Sequence, residues 1–195
     1  MSREMFLSNL CWLILLTISF LTVGCNGNLS RSEAARLIPN DQKFSQAHKE
    51  RLHIGMSPNF GCEDLSSKQP YSTLISLGYL DVKTTCDDMY RKSDISLTTK
   101  GEKESANWEY TSNFWGTWYD IPVTKREVVE VTGISEPKAD DNSAQATFTW
   151  RWQPINEIGK GLDVNESNTN GTATFQKFDD GWRVVTVSGP GISAY

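Results

Sequence analysis

Histidine is nearly missing from this chain: His48 and His53 are the only two among 195 residues. That scarcity narrows the chemistry available. A serine or cysteine triad needs a histidine base, and zinc sites draw on His and Cys at short, regular spacings. The two histidines stand five residues apart, which places them on different faces of a helix or of a strand, and no Cys-x-x-Cys occurs. No metal site and no cofactor are therefore expected. Positive charge is also in short supply, with 19 Lys and Arg against 24 Asp and Glu, a net charge of -5 and a pI near 5.1. Nucleic-acid binders neutralise phosphates with Lys and Arg, so this balance excludes a nucleic-acid partner and a polybasic membrane contact. G-x-S-x-G, Walker and Rossmann glycine patterns are absent as well. Carboxylate pairs do occur, at Asp87-Asp88, Asp140-Asp141 and Asp179-Asp180. Each lies in a turn context, where Asp accepts backbone hydrogen bonds, and they are read as turn formers rather than acid/base pairs.

The longest apolar run is at the N-terminus. Met5 to Val23 (MFLSNLCWLILLTISFLTV) is followed by Gly24-Cys25 and an abrupt change to polar sequence. A charged start, an apolar run and a small residue before the break make a signal peptide over residues 1–24. Leu21-Thr22-Val23-Gly24-Cys25 resembles the lipobox of bacterial lipoproteins. The resemblance implies that Cys25 is diacylated and becomes the mature N-terminus, and Asn26 rather than Asp after it implies the outer membrane rather than the inner. The alternative is an uncleaved membrane helix, for which the run is just long enough. Cys11 leaves with the leader, so Cys62 and Cys86 remain. An even pair in an oxidising compartment reads as a disulfide, which by closing its loop would add on the order of 3 kcal/mol.

Along the mature chain, Ser30-Arg31-Ser32-Glu33 fits a capping box opening a short helix that Pro39 ends. Residues 44–56 have mixed periodicity that leaves both helix and strand open. Tyr71, Leu74, Ile75 and Leu77 predict a helix stopped by Gly78, Tyr79 to Val82 a strand, Ile95 to Leu97 another, and Thr98 or Thr99 a cap for a helix reaching Trp108. Helix, Leu-Gly-Tyr-Leu strand, hairpin and Ile-Ser-Leu-Thr-x-Lys-Gly over residues 68–108 resemble the winged-helix pattern. In cytoplasmic proteins that pattern implies DNA binding; the lipid tether, acidic charge and lack of a basic recognition helix oppose it here.

Residues 107–119 gather Trp108, Tyr110, Phe114, Trp115, Trp118 and Tyr119, and this aromatic junction is read as a hinge. Beyond it the signal is β. Lys125 to Ile134 is a β-branched run. Ala144 to Gln153 alternates, with Ala144, Ala146, Phe148, Trp150 and Trp152 on one face and Gln145, Thr147, Thr149, Arg151 and Gln153 on the other, as a half-buried strand does. Residues 156–171 read as a long polar connection, Asp179-Asp180-Gly181 as a hairpin turn between two strands, and 189–195 as a loose tail. Strands ending in FDDGWRVV resemble the cystatin-like and nuclear-transport-factor-like α+β sheets over residues 109–188.

The expected fold is α+β: a small helical, winged-helix-like unit over 25–108, then an antiparallel β-meander over 109–195. The expected role is non-catalytic binding or structural work in the cell envelope, on the periplasmic face of a membrane, with an envelope protein or glycan as partner and membrane contact through the lipid. Trp108, Trp115, Trp118 and Tyr119 are the candidate binding residues. An exported enzyme acting on cell-wall polymers, and a winged-helix-derived protein-binding module, are the alternatives.

Overall fold

The first helix, α1, runs Arg31–Leu37 and begins as its sequence dictates, with the Ser30 side chain accepting a hydrogen bond from the Glu33 N–H. The structure is a computed structural model that describes residues 27–57, 64–86, 91–114, 116–135 and 142–192. Cys25, Cys62, Trp115 and the Asp87-Asp88 and Asp140-Asp141 pairs lie outside the described residues. After α1 a 3-10 turn at Ile38–Asn40 carries Pro39, and Asp41 caps a single helical turn, α2 (Gln42–Ser45), by accepting from the N–H groups of Lys43 and Phe44. The chain then extends as β1 (His48–Ser57). Residues 44–56 fit no single period because a helix ends and a strand begins inside them.

The middle of the chain forms α3 (Tyr71–Ser76), β2 (Leu80–Cys86), β3 (Arg91–Leu97) and α4 (Thr99–Ser105). The Thr-x-x-Gly at the start of α4 has a local cause. Thr98 Oγ accepts from the Gly101 N–H at 3.1 Å and donates to the Gly78 carbonyl at 2.7 Å. A Cβ on Gly101 would lie 2.1 Å from the Tyr79 carbonyl oxygen, so only glycine lets the helix start sit on that backbone. Cys86 ends β2 and is disulfide-bonded.

The remainder is β4 (Glu109–Asn113), β5 (Gly116–Ser135), β6 (Ser143–Pro154), a one-turn helix α5 (Glu157–Gly161), β7 (Thr169–Phe178) and β8 (Gly181–Ser188). The fold is α+β. All eight strands join one antiparallel sheet in the order β2-β3-β1-β5-β6-β7-β8, with β4 also on β5. The hinge expected at residues 107–119 is therefore a β4–β5 hairpin. The two units expected to meet at residue 108 share the sheet, because β5 pairs with β1 through Thr117 to Thr124 and with β6 through Thr124 to Ser135. The polar connection at 156–171 opens with α5, where Asn156 caps by accepting from Gly159 N–H and Ile158 is buried.

Two apolar cores lie along the sheet, and neither follows chain order. One holds Ala34, Leu37, Ile38 and Phe44 against Val131, Phe148, Trp150, Phe175, Val187 and Ile192. The other holds Leu52, Leu74, Tyr79, Ile95, Trp108, Ile121 and Ile158. The N-terminal helices thus belong with the C-terminal meander, and the tail expected to be loose is packed as far as Ile192. Arg126 closes this arrangement. Arg126 is 8% exposed, its Nη1 donates to the carbonyls of Lys43 (2.9 Å), Gln46 (3.1 Å) and Phe44 (3.3 Å), and its Nε and Nη2 donate to that of Gly191. Its guanidinium carbon stands 4.4 Å from the Trp152 ring centroid.

Burial along β6 alternates as its sequence predicts, with Ala144, Ala146, Phe148 and Trp150 buried and Gln145 and Thr147 exposed. Phe148→Lys should therefore place an unpaired ammonium in the core, cost several kcal/mol and unfold a marginal domain. Gln145→Lys should melt within about 0.5 kcal/mol of wild type. Thermal melts check both, and equal destabilisation would mean that both sheet faces are covered.

Candidate functional site

The β4–β5 hairpin is where exposed aromatic surface collects. It can lie close on β1 because β5 opens with Gly116. This residue has φ +135°, and a Cβ there would fall 2.5 Å from the Ile54 carbonyl oxygen and 2.6 Å from His53 Nε2. Strand alternation then sorts the aromatics to opposite faces. Trp118 lies across from His53 in the register, with ring centroids 4.6 Å apart, and the Arg51 guanidinium sits 5.1 Å from the Trp118 ring. Arg51 also meets Asp120 at 3.9 Å, and on the same face Lys49 meets Glu109 at 2.6 Å. Tyr119 turns the other way. It packs edge-on against Trp108 at 5.6 Å, and Trp108 packs against Tyr79 at 6.5 Å.

Of the four residues expected to make one binding surface, Trp108 and Tyr119 meet on the core face while Trp118 stands on the other. Trp108 is a core residue, 6% exposed, because it fills the space between Tyr79 and Tyr119. Tyr119 leans on that core, Trp118 stands half-buried on the opposite face, and Trp115 lies outside the described residues. Two other aromatics are the exposed ones: Tyr110, at 69%, over the Tyr119 ring, and Phe114 in the turn, at 93%. The sequence does carry a signal for them. Glu109 to Asn113 (EYTSN) has Tyr110 as its single apolar residue, so that strand has no apolar face to bury.

His48 Nε2 lies 3.1 Å from Glu50 Oε1, two residues along β1 and beside Trp152 at 5.7 Å between centroids. Both side chains keep about a third of their surface exposed, so the pair is a strand-surface contact rather than a group enclosed in a cleft. His53 is buried, and the strand holds the two histidines apart. Among the described residues no group of three or more His, Cys, Asp or Glu is placed to hold a metal ion, and no helix is long and apolar enough to cross a membrane. A depression of ≈ 460 Å³ on the outer face of the meander is lined by Thr132, Thr147, Asn170, Thr172 and Ser188. Its hydroxyls bond to one another across strands, Thr132 with Thr147 at 3.1 Å and Thr172 with Ser188 at 2.9 Å.

One further cluster has perturbed protonation. The Tyr79 hydroxyl donates to Glu157, and Lys100 lies 3.4 Å from that carboxylate and 4.3 Å from the Tyr79 ring centroid. Burial, with the Glu157 carboxylate added, pushes the Tyr79 phenol up to about 12. The Tyr79 hydrogen bond, helped by Lys100 and Lys160, holds Glu157 below the usual carboxylate range. These groups tie α5 to the β2 end of the sheet, a structural role.

No family model matches the chain, and no curated protein or solved structure proves similar to it.

The Tyr79–Glu157 contact has a pH window set by both partners. A raised phenol pKa stabilises the fold fully below the ordinary tyrosine value of 10.0 and is lost as pH rises toward about 12. A lowered carboxylate pKa stabilises above 4.5 and is lost as pH falls through its folded value. The gap in Tm between wild type and Tyr79→Phe should be widest at neutral pH and shrink at both extremes. A gap independent of pH would show that the hydroxyl–carboxylate bond contributes nothing.

Proposed function

We propose that this chain is a lipid-anchored protein of the bacterial cell envelope, exposed on the periplasmic face of its membrane, that binds an extended segment of a partner protein along the open edge of β4. The work is binding, not catalysis. The observation that carries this reading is β4 itself. All five residues are exposed, and among the described residues the strand pairs only with β5. Along Glu109 to Ser112 the outer edge offers backbone N–H and C=O groups to an added strand, and proteins guard such edges with Lys, Pro or a bulge. Glu109 to Asn113 contains neither Lys nor Pro, its register with β5 runs unbroken, and Glu109 is taken up by Lys49. An added strand would gain main-chain hydrogen bonds from the edge and apolar contact from Tyr110 and Phe114.

The test uses a photoreactive residue placed at Ser112 or, as a control, at exposed Asn165, in cells carrying the full chain. Irradiation should give protein adducts from position 112 and not from 165. Adding Tyr110→Lys to the 112 variant should abolish the adduct while leaving Tm within about 0.5 kcal/mol of stability, since the side chain is solvated. Equal adducts from both positions, or survival of the adduct in the Lys variant, would contradict edge pairing.

A further inference from the structure

We infer that the β7–β8 turn is a membrane-contacting surface, with Phe178 inserted at the interface of the bilayer that holds the Cys25 lipid. This rests on the lipidation reading proposed above and adds to it a fixed orientation of the folded body.

The first observation is where the chain becomes fixed. The Gly27 carbonyl accepts a hydrogen bond from Trp182 Nε1 at 3.3 Å, and Leu29 is buried in the first core at 6% exposure. Only Asn26 stands between Cys25 and Gly27, and two extended residue steps reach about 7 Å. A chain acylated at Cys25 therefore cannot hold its body away from the lipid surface. The beginning of β8 must ride at the headgroups.

The second observation is what that surface carries. Phe178, the last residue of β7, is 43% exposed, and the Arg183 guanidinium sits 4.8 Å from its ring centroid. Lys177 Nζ lies 5.9 Å from the Trp182 ring. Trp182 itself is buried in the first core, so Phe178 is the ring this turn exposes, and an aromatic ring flanked by cationic side chains with long apolar stems is what the interfacial zone of a bilayer accepts. Electrostatics alone would not make this contact. Asp179 and Asp180 stand in the same turn, opposing Lys177 and Arg183, and Arg183 is held by Asp180 at 2.6 Å. The tip is neutral, so insertion of the ring, rather than attraction to anionic lipid, holds it.

The orientation has a consequence for β4. Register places the β7–β8 turn at the same end of the sheet as Ser135, since Ser135 pairs with Gln145 and Ser143 with Gln176. Gly116, next to the β4–β5 turn, is at the other end of the 20-residue strand β5. At about 3.3 Å per residue that strand has a contour of roughly 60 Å, less its twist and bulges. With the β7–β8 turn on the membrane, β5 projects the β4 edge outward into the periplasm.

The experiment reconstitutes the full-length acylated protein into phosphatidylcholine vesicles. A spin label is carried on a ketone amino acid at Asp179 in one sample and at Phe114 in another. Accessibility to oxygen against a water-soluble nickel chelate then reports depth. The 179 label should be preferentially oxygen-accessible and the 114 label preferentially nickel-accessible. Phe178→Glu should return the 179 label to nickel, and adding phosphatidylglycerol should change neither reading. A nickel-accessible 179 label on protein whose mass shows an acylated Cys25 overturns the contact and leaves lipidation standing. Contact seen only with phosphatidylglycerol overturns insertion in favour of charge. An unacylated N-terminus on protein taken from membranes overturns both readings.

Discussion

The guanidinium of Arg126 joins three stretches of chain that sequence keeps far apart. It stands on β5, donates to the carbonyls that end α2, and reaches the carbonyl of Gly191 beyond β8. Taking a cation out of water is costly unless its donors are all directed at acceptors, and an Arg presents five donors in a rigid fork. Here the acceptors are backbone carbonyls at a helix C-terminus, where the partial charge is negative, and the flat face of the group lies on Trp152. The arrangement is reciprocal. Without the guanidinium, the carbonyls of Lys43, Gln46 and Gly191 would lose their partner in a place water reaches poorly.

From that joint the rest of the first core follows. Holding α2 against β5 brings Phe44 onto Phe148 and Trp150, edge-on at 5.7 and 6.3 Å. Holding Gly191 brings Ile192 under the meander. The two ends of the folded chain sit at opposite ends of the meander, Gly27 beside Trp182 next to the β7–β8 turn and Gly191 beside Trp150 beyond the end of β8. The long strand β5 runs from the hairpin that bears Tyr110 and Phe114 to Ser135, at the end of the sheet where the β7–β8 turn lies.

Much of this was legible in the residues. The alternation in β6, the cap at Ser30, the turn at Asp179-Asp180 and the Thr98 cap each follow from local rules and are found in place. The continuity of the sheet was not. Only Lys125 to Ile134 read as strand, because Pro122 and the mixed aromatic and charged residues before it break the usual signal. In the structure Pro122 falls between Asp120, paired with the first residue of β4, Glu109, and Thr124, paired with the last residue of β6, Pro154, and on its other side it meets Lys49 of β1 next to a register shift, a place where the ladder has few bonds to lose. Helix α5 was hidden in a polar stretch, since one turn offers only Ile158 and Leu162 as apolar spacing. The aromatic site divides for a related reason: Trp118 and Tyr119 are adjacent in sequence, but strand alternation sends Tyr119 toward the core beside Trp108 and Trp118 to the other face. Arg126 reads as an ordinary surface charge in its β-branched run, and its partners lie 65 and about 80 residues away.

The most direct test of the Arg126 joint is amide hydrogen exchange on Arg126→Met, a change that keeps the length of the side chain and removes its donors. Loss on the order of 3 kcal/mol is expected, and protection should fall together at residues 43–46 and 189–192 while β2 and β3 keep theirs. Unchanged protection at 189–192, with exchange altered only around position 126, would show that the tail and α2 are held by apolar packing alone and that the guanidinium is not what joins them.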